Sequence, residues 1–322
     1  MFGALESNAL FQVAVAERLI SSHEDLLSTH PEEMHGAIKL YAVASCVMRL
    51  YAIYERFVES LISDYLDLVP ELTAFRDLPD GLKKEYRVGI SHLLGKIDSE
   101  RYSHLAHENV IRWYHEAVSD SQPYRFVVEA LTRHEQNLRL DVVDNLMGRI
   151  GLASLRIWLG RTEHIGDLYE EQSSIVDQLE SELRGFVQVR NDAAHGALSA
   201  LQGRDNLLRY CELISALIRA LTEFCYKCFL ERQITTGRVR RIGTVSEVFH
   251  KAGAFILLLD PGEALAVGGV IHVVSQSHCR SGALESIMLN DQSVDRIVTA
   301  PRRVEVGVKC GVIPKKQASV YI

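Results

Sequence analysis

The sequence predicts a multidomain α and β protein, in which an all-α helical bundle is followed by a small antiparallel β-barrel. No proline lies between Tyr124 and Asp260, and this gap leaves room for long helices because proline breaks helix interiors. From Thr235 onwards, apolar and polar residues alternate at period two, as they do in half-buried strands. We therefore place the helical domain at residues 1–234 and the barrel at residues 235–322.

Apolar residues recur at helical spacing through most of the first domain. The clearest case is residues 32–68, which we interpret as one amphipathic helix that ends before Pro70. Further helices are predicted at residues 6–27, 82–94, 103–118, 124–135, 168–189 and 205–232. The pattern is weakest in residues 70–122, which we interpret as an elaboration on the helical core.

The predicted strands of the second domain are short and regularly spaced, with turn residues between them. They cover residues 238–249, 254–259, 270–274, 283–289, 303–308 and 319–322. Gly253, Gly262 and Gly282 stand at the turns. Such spacing is typical of a small antiparallel barrel.

Composition predicts a soluble cytoplasmic protein. The chain has 322 residues and no uninterrupted apolar run of the roughly 20 residues that span a bilayer, so we expect no membrane contact. It lacks the basic start and apolar block of a signal peptide, and its six scattered cysteines form no disulfide framework. The net charge of −7 gives no global attraction for nucleic acid, so RNA binding would need a local basic patch.

One polar cluster interrupts the helical domain. Arg190, Asn191, Asp192 and His195 lie within six residues, and each would need a partner if it were buried. Arginine offers a planar fork of donors suited to phosphate, and histidine exchanges protons near neutral pH. Arg190 and His195 are therefore candidate catalytic residues for metal-independent phosphodiester cleavage. The alternative is a solvated C-terminal turn in which His195 is favoured by the helix dipole.

Helix geometry counts against a simple pairing of the two residues. Asn191 and His195 lie one turn apart on one face, whereas Arg190 lies about 140° from His195. The Arg190 and His195 side chains can reach the same point only if the long arginine side chain bends towards the histidine or if the helix unwinds near Gly196. Asp192 is either a partner for Arg190 or a charge on the helix surface.

The run Arg190-Asn191-Asp192-Ala193-Ala194-His195-Gly196 resembles the signature of the HEPN superfamily, in which an arginine and a polar residue are followed by a histidine. Residues 50–58 and 137–152 resemble two further segments of HEPN ribonucleases from bacterial toxin and defence systems. The resemblance covers about residues 35–230. It implies a helical bundle that forms a homodimer, with both motifs meeting in one composite active site.

The resemblance also implies an activity. Arg190 and His195 would be the catalytic pair of an endoribonuclease that needs no metal or other cofactor, with Asn191 in a supporting role. The substrate would be tRNA, rRNA or mRNA, cut by attack of the 2′-hydroxyl in a toxin or anti-phage role, with an antitoxin or defence-system partner. The alternative is a catalytically inactive HEPN module that binds RNA or protein. Glu55, in the first segment, either lines the site or forms a surface ion pair.

Residues 236–322 resemble the β-barrel second domain of translation elongation factors, through Gly243-Thr244-Val245 and residues 254–259 and 265–271. This chain has Gly268-Gly269 where those factors usually have Gly-Asp. The resemblance implies contact with tRNA or the ribosome, and the alternative is a dimer or protein contact. Arg238, Arg240 and Arg241 form a basic cluster at the junction of the two domains, and they either contact RNA phosphates or lie on a solvated edge strand.

No metal site is predicted. His104, His107 and His115 lie near Glu108 and Glu116, but their order is not that of a zinc-protease motif. We interpret them as the polar face of a helix.

Overall fold

The computed structural model describes residues 2–22, 29–121, 123–134, 136–170, 174–196, 203–299 and 301–322. The chain divides into two compact units, Met1–Cys225 and Tyr226–Ile322. The first is helical in its described part and the second carries a closed antiparallel β-barrel, so the predicted fold class is confirmed. The predicted boundary at residue 234 lies further along the helix in which the two units divide.

Two long helices pack together at the start of the chain. Helix α1 spans Gly3–Ser21 and packs on α2, Glu32–Leu72. Helix α2 buries apolar side chains at helical spacing from Val43 to Val69, which makes it the central core helix of this unit. It ends at Leu72 rather than before Pro70, because a proline in the last turn removes a hydrogen bond without stopping the helix. The predicted helix at residues 6–27 ends at Ser21, and residues 23–28 lie outside the described residues.

Both helices also carry exposed apolar side chains, spaced so that they share one face of each helix. We call these residues the apolar stripe: Phe11, Val15 and Leu19 on α1, and Met34, Tyr41 and Met48 on α2. On α1 they recur every four residues, on the side away from the buried Ala9, Val13, Ala16 and Ile20. Exposed apolar surface of this kind is typical of a protein–protein contact.

By length and composition, α2 is also long and apolar enough to cross a membrane. An 18-residue window has a mean hydropathy of 1.4, and 28% of that window is buried. Charged residues occur along this helix, so its sequence contains no uninterrupted apolar run of roughly 20 residues. A core helix of a soluble protein meets the same test.

Short helices fill residues 75–149. They are the 3-10 turns Phe75–Asp77 and Glu100–Tyr102, with α3 at Asp80–Leu94, α4 at His107–Val118, α5 at Glu129–Thr132 and α6 at Leu140–Arg149. The helix predicted at residues 124–135 is wrong, because only α5 forms there; residue 135 lies outside the described part. Tyr124 and Phe126 pack edge-on at 5.4 Å within an aromatic cluster, and the Val127 amide donates to the Tyr86 hydroxyl at 3.0 Å. These contacts replace the helical hydrogen bonds.

Gly89 permits the close approach of α3 to α5. An added methyl carbon at this position would lie 2.0 Å from the Ala130 carbonyl oxygen. We expect Gly89→Ala to lower the free energy of unfolding by roughly 1–3 kcal/mol, because the backbone must shift to relieve the overlap. Gly81→Ala on the same helix meets nothing within 4 Å and should instead stabilise by up to about 1 kcal/mol. Urea unfolding of both variants measures this difference, and equal midpoints would contradict it.

The remaining helices position the polar motif. They are α7 at Leu155–Leu159, α8 at Glu163–Gly166, α9 at Ile175–Ala194 and α10 at Arg204–Thr235. The helix predicted at residues 168–189 begins at Ile175 and extends further, and residues 171–173 lie outside the described part. Helix α9 packs on α2, and its Glu182 accepts hydrogen bonds from Arg209 of α10 at 2.6 and 3.1 Å. The motif helix is therefore anchored on two sides.

After the end of α10, the described part of the second unit contains nine strands. They are β1 Arg241–Phe249, β2 Ala254–Leu259, β3 Ala264–Ala266, β4 Val270–Val274, β5 Cys279–Leu289, β6 Gln292–Val294, β7 Arg296–Val298, β8 Val304–Cys310 and β9 Ser319–Tyr321. Six strands pair in the order β4-β9-β1-β2-β8-β5, and β5 pairs back to β4, which closes the barrel. Strand β6 extends from β5, and β3 pairs with β7 separately. Every predicted strand is found, and β3, β6 and β7 are additional. The turn predicted at Gly282 is wrong, because Gly282 lies inside β5 and pairs with Ile271 of β4.

The barrel core follows the alternation in the sequence. In β2, Phe255, Leu257 and Leu259 are buried and alternate with partly buried neighbours. A bulge between Val245 and Glu247 shifts the register of β1 against β2. Because the six strands close on themselves, their backbone groups pair within the barrel.

Candidate active site

The polar motif occupies the last turns of α9. The helix continues through Ala194, and the His195 amide donates to the Asn191 carbonyl at 3.0 Å, so the backbone is not unwound before this histidine. Gly196 follows with a φ of +69°, a left-handed conformation that glycine adopts without strain. Arg190 and His195 therefore point in different directions from one continuous helix.

Arg190 lies against an aromatic ring. Its guanidinium carbon is 4.5 Å from the centroid of the Tyr51 ring, a cation–π contact between α9 and α2. Its Nη1 donates to the Asn191 Oδ1 at 3.2 Å. Its Nε is buried, and no described residue accepts a hydrogen bond from it. The side chain is thus fixed in place while part of its donor set remains unused.

Asn191 joins the motif to the segment before α6. Its Oδ1 accepts from Arg190 and also from the Asn137 Nδ2 at 2.9 Å. An amide oxygen has two lone pairs, so both bonds can form together. Asn191 therefore holds Arg190 and the Asn137 segment at one point.

Tyr51 links the same segment to α2. Its hydroxyl accepts from the Leu138 amide at 3.0 Å and donates to the Glu55 Oε1 at 3.0 Å. Its ring also packs on Phe186, with centroids 6.4 Å apart. Burial raises the pKa of Tyr51 well above its usual range, so the phenol stays protonated and serves as a positioning group.

Three stretches that are distant in sequence thus meet at one place. Residues 50–58 supply Tyr51 and Glu55, residues 137–152 supply Asn137 and Leu138, and α9 supplies Arg190 and Asn191. These are the same three segments that carry the resemblance described above. Arg190 and Asn191 have partners outside their own helix, which a merely solvated helix end would not need.

A cavity of about 540 Å³ opens beside this network. It is lined by Glu55, Glu59, Arg101, His134, Gln136, Asn137 and Arg139. Glu55 is hydrogen-bonded to Tyr51 and lines this cavity. The volume lies within the roughly 300–1,000 Å³ of typical ligand sites.

His134 is a member of this cavity that the sequence did not single out. Its Nε2 donates to the Glu59 carboxylate at 3.2 Å, and its Nδ1 donates to the Gln136 carbonyl at 2.8 Å. Two acceptors match the doubly protonated ring, and the hydrogen bond to Glu59 raises the pKa of His134 above its ordinary value. Asn137, three residues further along, belongs to the segment 137–152 that carries the family resemblance. This closeness in sequence is the one feature that could have pointed to His134.

His134 should make the stability of the helical unit depend on pH. Because its folded-state pKa is raised, its contribution is fully present below the unfolded value of about 6.5 and is lost as the pH rises through the folded value. We expect the gap in unfolding free energy between wild type and His134→Gln to shrink as the pH rises. Denaturant unfolding between about pH 5 and pH 9 measures it. His250→Gln, at an exposed histidine of the barrel, is the matched control, and a gap that widened with pH would contradict the assignment.

The other two residues of the motif face outward. His195 is exposed, and its ring hydrogen-bonds to no described residue. Asp192 accepts from the Gln188 Nε2 at 2.8 Å, one turn earlier on the same helix, and forms no ion pair with Arg190. The structure therefore assembles Arg190, Asn191 and Glu55 in one network and leaves His195 outside it.

Arg240 and Arg241, at the start of the barrel, have acidic partners. Arg240 faces Glu263 at 2.9 Å, and Arg241 faces Asp260 at 2.8 Å. Asp260 also receives Arg303 at 2.9 Å. Arg238 is exposed. An RNA phosphate at Arg240 or Arg241 would compete with these carboxylates, and RNA contact here stays a prediction.

Among the described residues, no three His, Cys, Asp or Glu side chains come together in an arrangement that could hold a metal ion. His104 instead faces Glu129 at 2.9 Å, and His107 faces Asp98 at 3.8 Å.

Comparison with known proteins identifies the helical part. The family model described as RiboL-PSP-HEPN matches residues 12–227, more than half of the chain. No curated protein matches significantly. Among solved structures, the C-terminal domain of a Geobacillus thermoleovorans protein assigned to the U32 peptidases is similar at 14% identity, covering 24% of this chain and 86% of that domain with a TM-score of 0.22. The likeness of the barrel to elongation-factor domain 2 stays a prediction.

Proposed function

The chain belongs to the RiboL-PSP-HEPN family, and on that premise we propose that it is a metal-independent endoribonuclease with a site shared between two protomers. A HEPN domain is a ribonuclease or an RNA-binding module. The observation that favours the nuclease is the fixed placement of Arg190 by Tyr51 and Asn191, with His195 exposed at the end of the same helix.

The residues support a complete reaction. His195 takes the proton of the 2′-hydroxyl while that oxygen forms a bond to phosphorus. The bond from phosphorus to the 5′-oxygen breaks, and a water molecule donates a proton to that oxygen as it leaves, while the protonated His195 returns its proton to the solvent. Arg190 stabilises the negative charge on the phosphorane-like transition state through its guanidinium donors. The products are a 2′,3′-cyclic phosphate and a 5′-hydroxyl.

A homodimer would bring the two groups together. Arg190 and His195 point in different directions from one helix. A phosphate bound by Arg190 of one protomer is therefore more accessible to His195 of the other protomer than to His195 of the same chain. The apolar stripe supports such a dimer, because a two-fold contact would bury it against its own copy. A toxin or anti-phage role in the cytoplasm, with a neutralising partner, is the biological setting that the family resemblance favours.

The test is cleavage of purified tRNA and rRNA in EDTA, followed by detection of 2′,3′-cyclic phosphate ends. We expect wild type to cut and His195→Ala to lose activity by about 10²–10⁴-fold, the usual contribution of general acid–base catalysis. RNA binding without cleavage by wild type would instead favour the inactive RNA-binding module. Residual cutting equal in wild type and His195→Ala would show that the site lies elsewhere.

A further inference from the structure

A second cavity adjoins the one beside the motif. It measures about 570 Å³ and shares Arg101, His134 and Gln136 with the first. It extends towards His92 in the last turn of α3 and towards Lys96 just beyond that helix. The two cavities together lead from Asn137, which is bonded to Asn191 of the motif, to His92 and Lys96.

The second cavity is strongly basic. Lys96, Arg101, Arg133 and Arg149 line it, whereas Asp141 is the one carboxylate among the described residues of its lining. The chain as a whole carries a net charge of −7, so this concentration of cations is a local feature. A cleft lined by one sign of charge attracts ligands of the opposite sign.

Two of these arginines share a single acidic partner. Arg133 and Arg149 face Glu85 at 3.7 and 3.9 Å, and Arg149 Nη1 donates to the Arg133 carbonyl at 2.6 Å. Two guanidinium groups with one carboxylate leave an excess positive charge. Burial and the neighbouring Arg133 lower the pKa of Arg149, which is the direction expected where cations crowd together. An anionic ligand would relieve this repulsion.

We propose that the two cavities form one groove that binds the phosphodiester backbone of single-stranded RNA leading away from the catalytic motif. The proposal rests on the proposed function and adds where the substrate lies. Guanidinium forks match phosphate oxygens and line the far cavity, so the phosphates sit there. Glu55 and Glu59 in the near cavity repel phosphate and face the hydroxyl and amino donors of ribose and bases. His134 stands where the two cavities meet.

The experiment replaces exposed charged residues of the groove with neutral ones. It uses the His195→Ala variant as the parent, so that the RNA is not cleaved during the binding measurement. The groove variant carries Lys96→Gln, Arg101→Gln and Arg139→Gln, all at exposed positions, together with His195→Ala. The matched control carries Lys84→Gln, Arg112→Gln and Arg161→Gln, which are exposed and lie outside both cavities. Fluorescence anisotropy of a labelled single-stranded RNA, repeated across KCl concentrations, gives the Kd and its salt slope. Thermal unfolding of each variant checks the fold.

The groove variant should bind RNA more weakly and lower the slope of log K against log salt by about 1.4, since Lys96 and Arg101 line the far cavity and each lost phosphate contact removes about 0.7. The control should keep the slope of the His195→Ala parent. Equal losses in both variants, or no RNA binding by the parent, would overturn the groove. Groove-dependent binding by a wild-type protein that never cleaves RNA would leave the groove standing and refute the nuclease.

Discussion

Mixing Arg190→Ala protomers with His195→Ala protomers should restore RNA cleavage that neither variant shows alone. If one site takes its arginine from one chain and its histidine from the other, a mixed dimer keeps one intact pair. Random exchange should then recover about a quarter of wild-type activity, because half the dimers are mixed and each has one working site of two. The measurement is cleavage by variants that are unfolded and refolded together.

The control for this recovery of cleavage uses the same two variants with further substitutions that prevent the protomers from associating. Phe11→Glu with Leu19→Glu places two charges in the apolar stripe, and we expect it to give monomers by light scattering and to abolish the recovery. If each protomer uses its own arginine and histidine, mixed dimers hold no intact pair. An absence of recovery from dimers shown to be mixed would therefore contradict the shared site.

Replacing the ring beneath Arg190 should reduce catalysis more than removing its hydroxyl. Tyr51→Leu deletes the ring 4.5 Å from the guanidinium, and a desolvated cation–π contact of about 2 kcal/mol corresponds to a loss of about 30-fold in rate. The loss should fall on kcat rather than KM, since the proposed role of Arg190 is to stabilise the transition state. Single-turnover cleavage well below the unfolding temperature measures it.

Tyr51→Phe is the matched comparison. It keeps the ring but leaves the Leu138 amide without its acceptor and Glu55 without its donor. We expect it to lower stability by roughly 1–3 kcal/mol while cleavage stays near wild type. Equal rate losses in the two variants would show that Tyr51 does not act by positioning Arg190.

The barrel was predictable because its signal is local. Each side chain in β2 is placed by its immediate neighbours, and period-two alternation records which face it occupies. A three-residue strand shows little alternation, so β3, β6 and β7 were missed, although β9, which is equally short, was predicted. The helix expected at residues 124–135 failed for the opposite reason, since distant partners such as Tyr86 decide that backbone.

The candidate site was only partly predictable. The motif on α9 and its two companion segments were visible as sequence patterns. Their mutual contacts were not, because the Asn137–Asn191 and Tyr51–Leu138 hydrogen bonds join side chains and backbone that no periodicity relates. His134 and the basic cavity depend on how short helices between residues 92 and 149 fold together, which local propensity does not determine.

The spacing of these bonds along the chain has a consequence for synthesis. Tyr51 and Leu138 are 87 positions apart, and Asn137 and Asn191 are a further 54 apart. A growing chain that has passed α2 and α6 but not α9 lacks Arg190 altogether, and Tyr51 then has no cation above its ring. Because domains fold as units and distant contacts form late, the network completes only once nearly the whole helical unit has left the ribosome. A truncated product therefore carries no assembled candidate site.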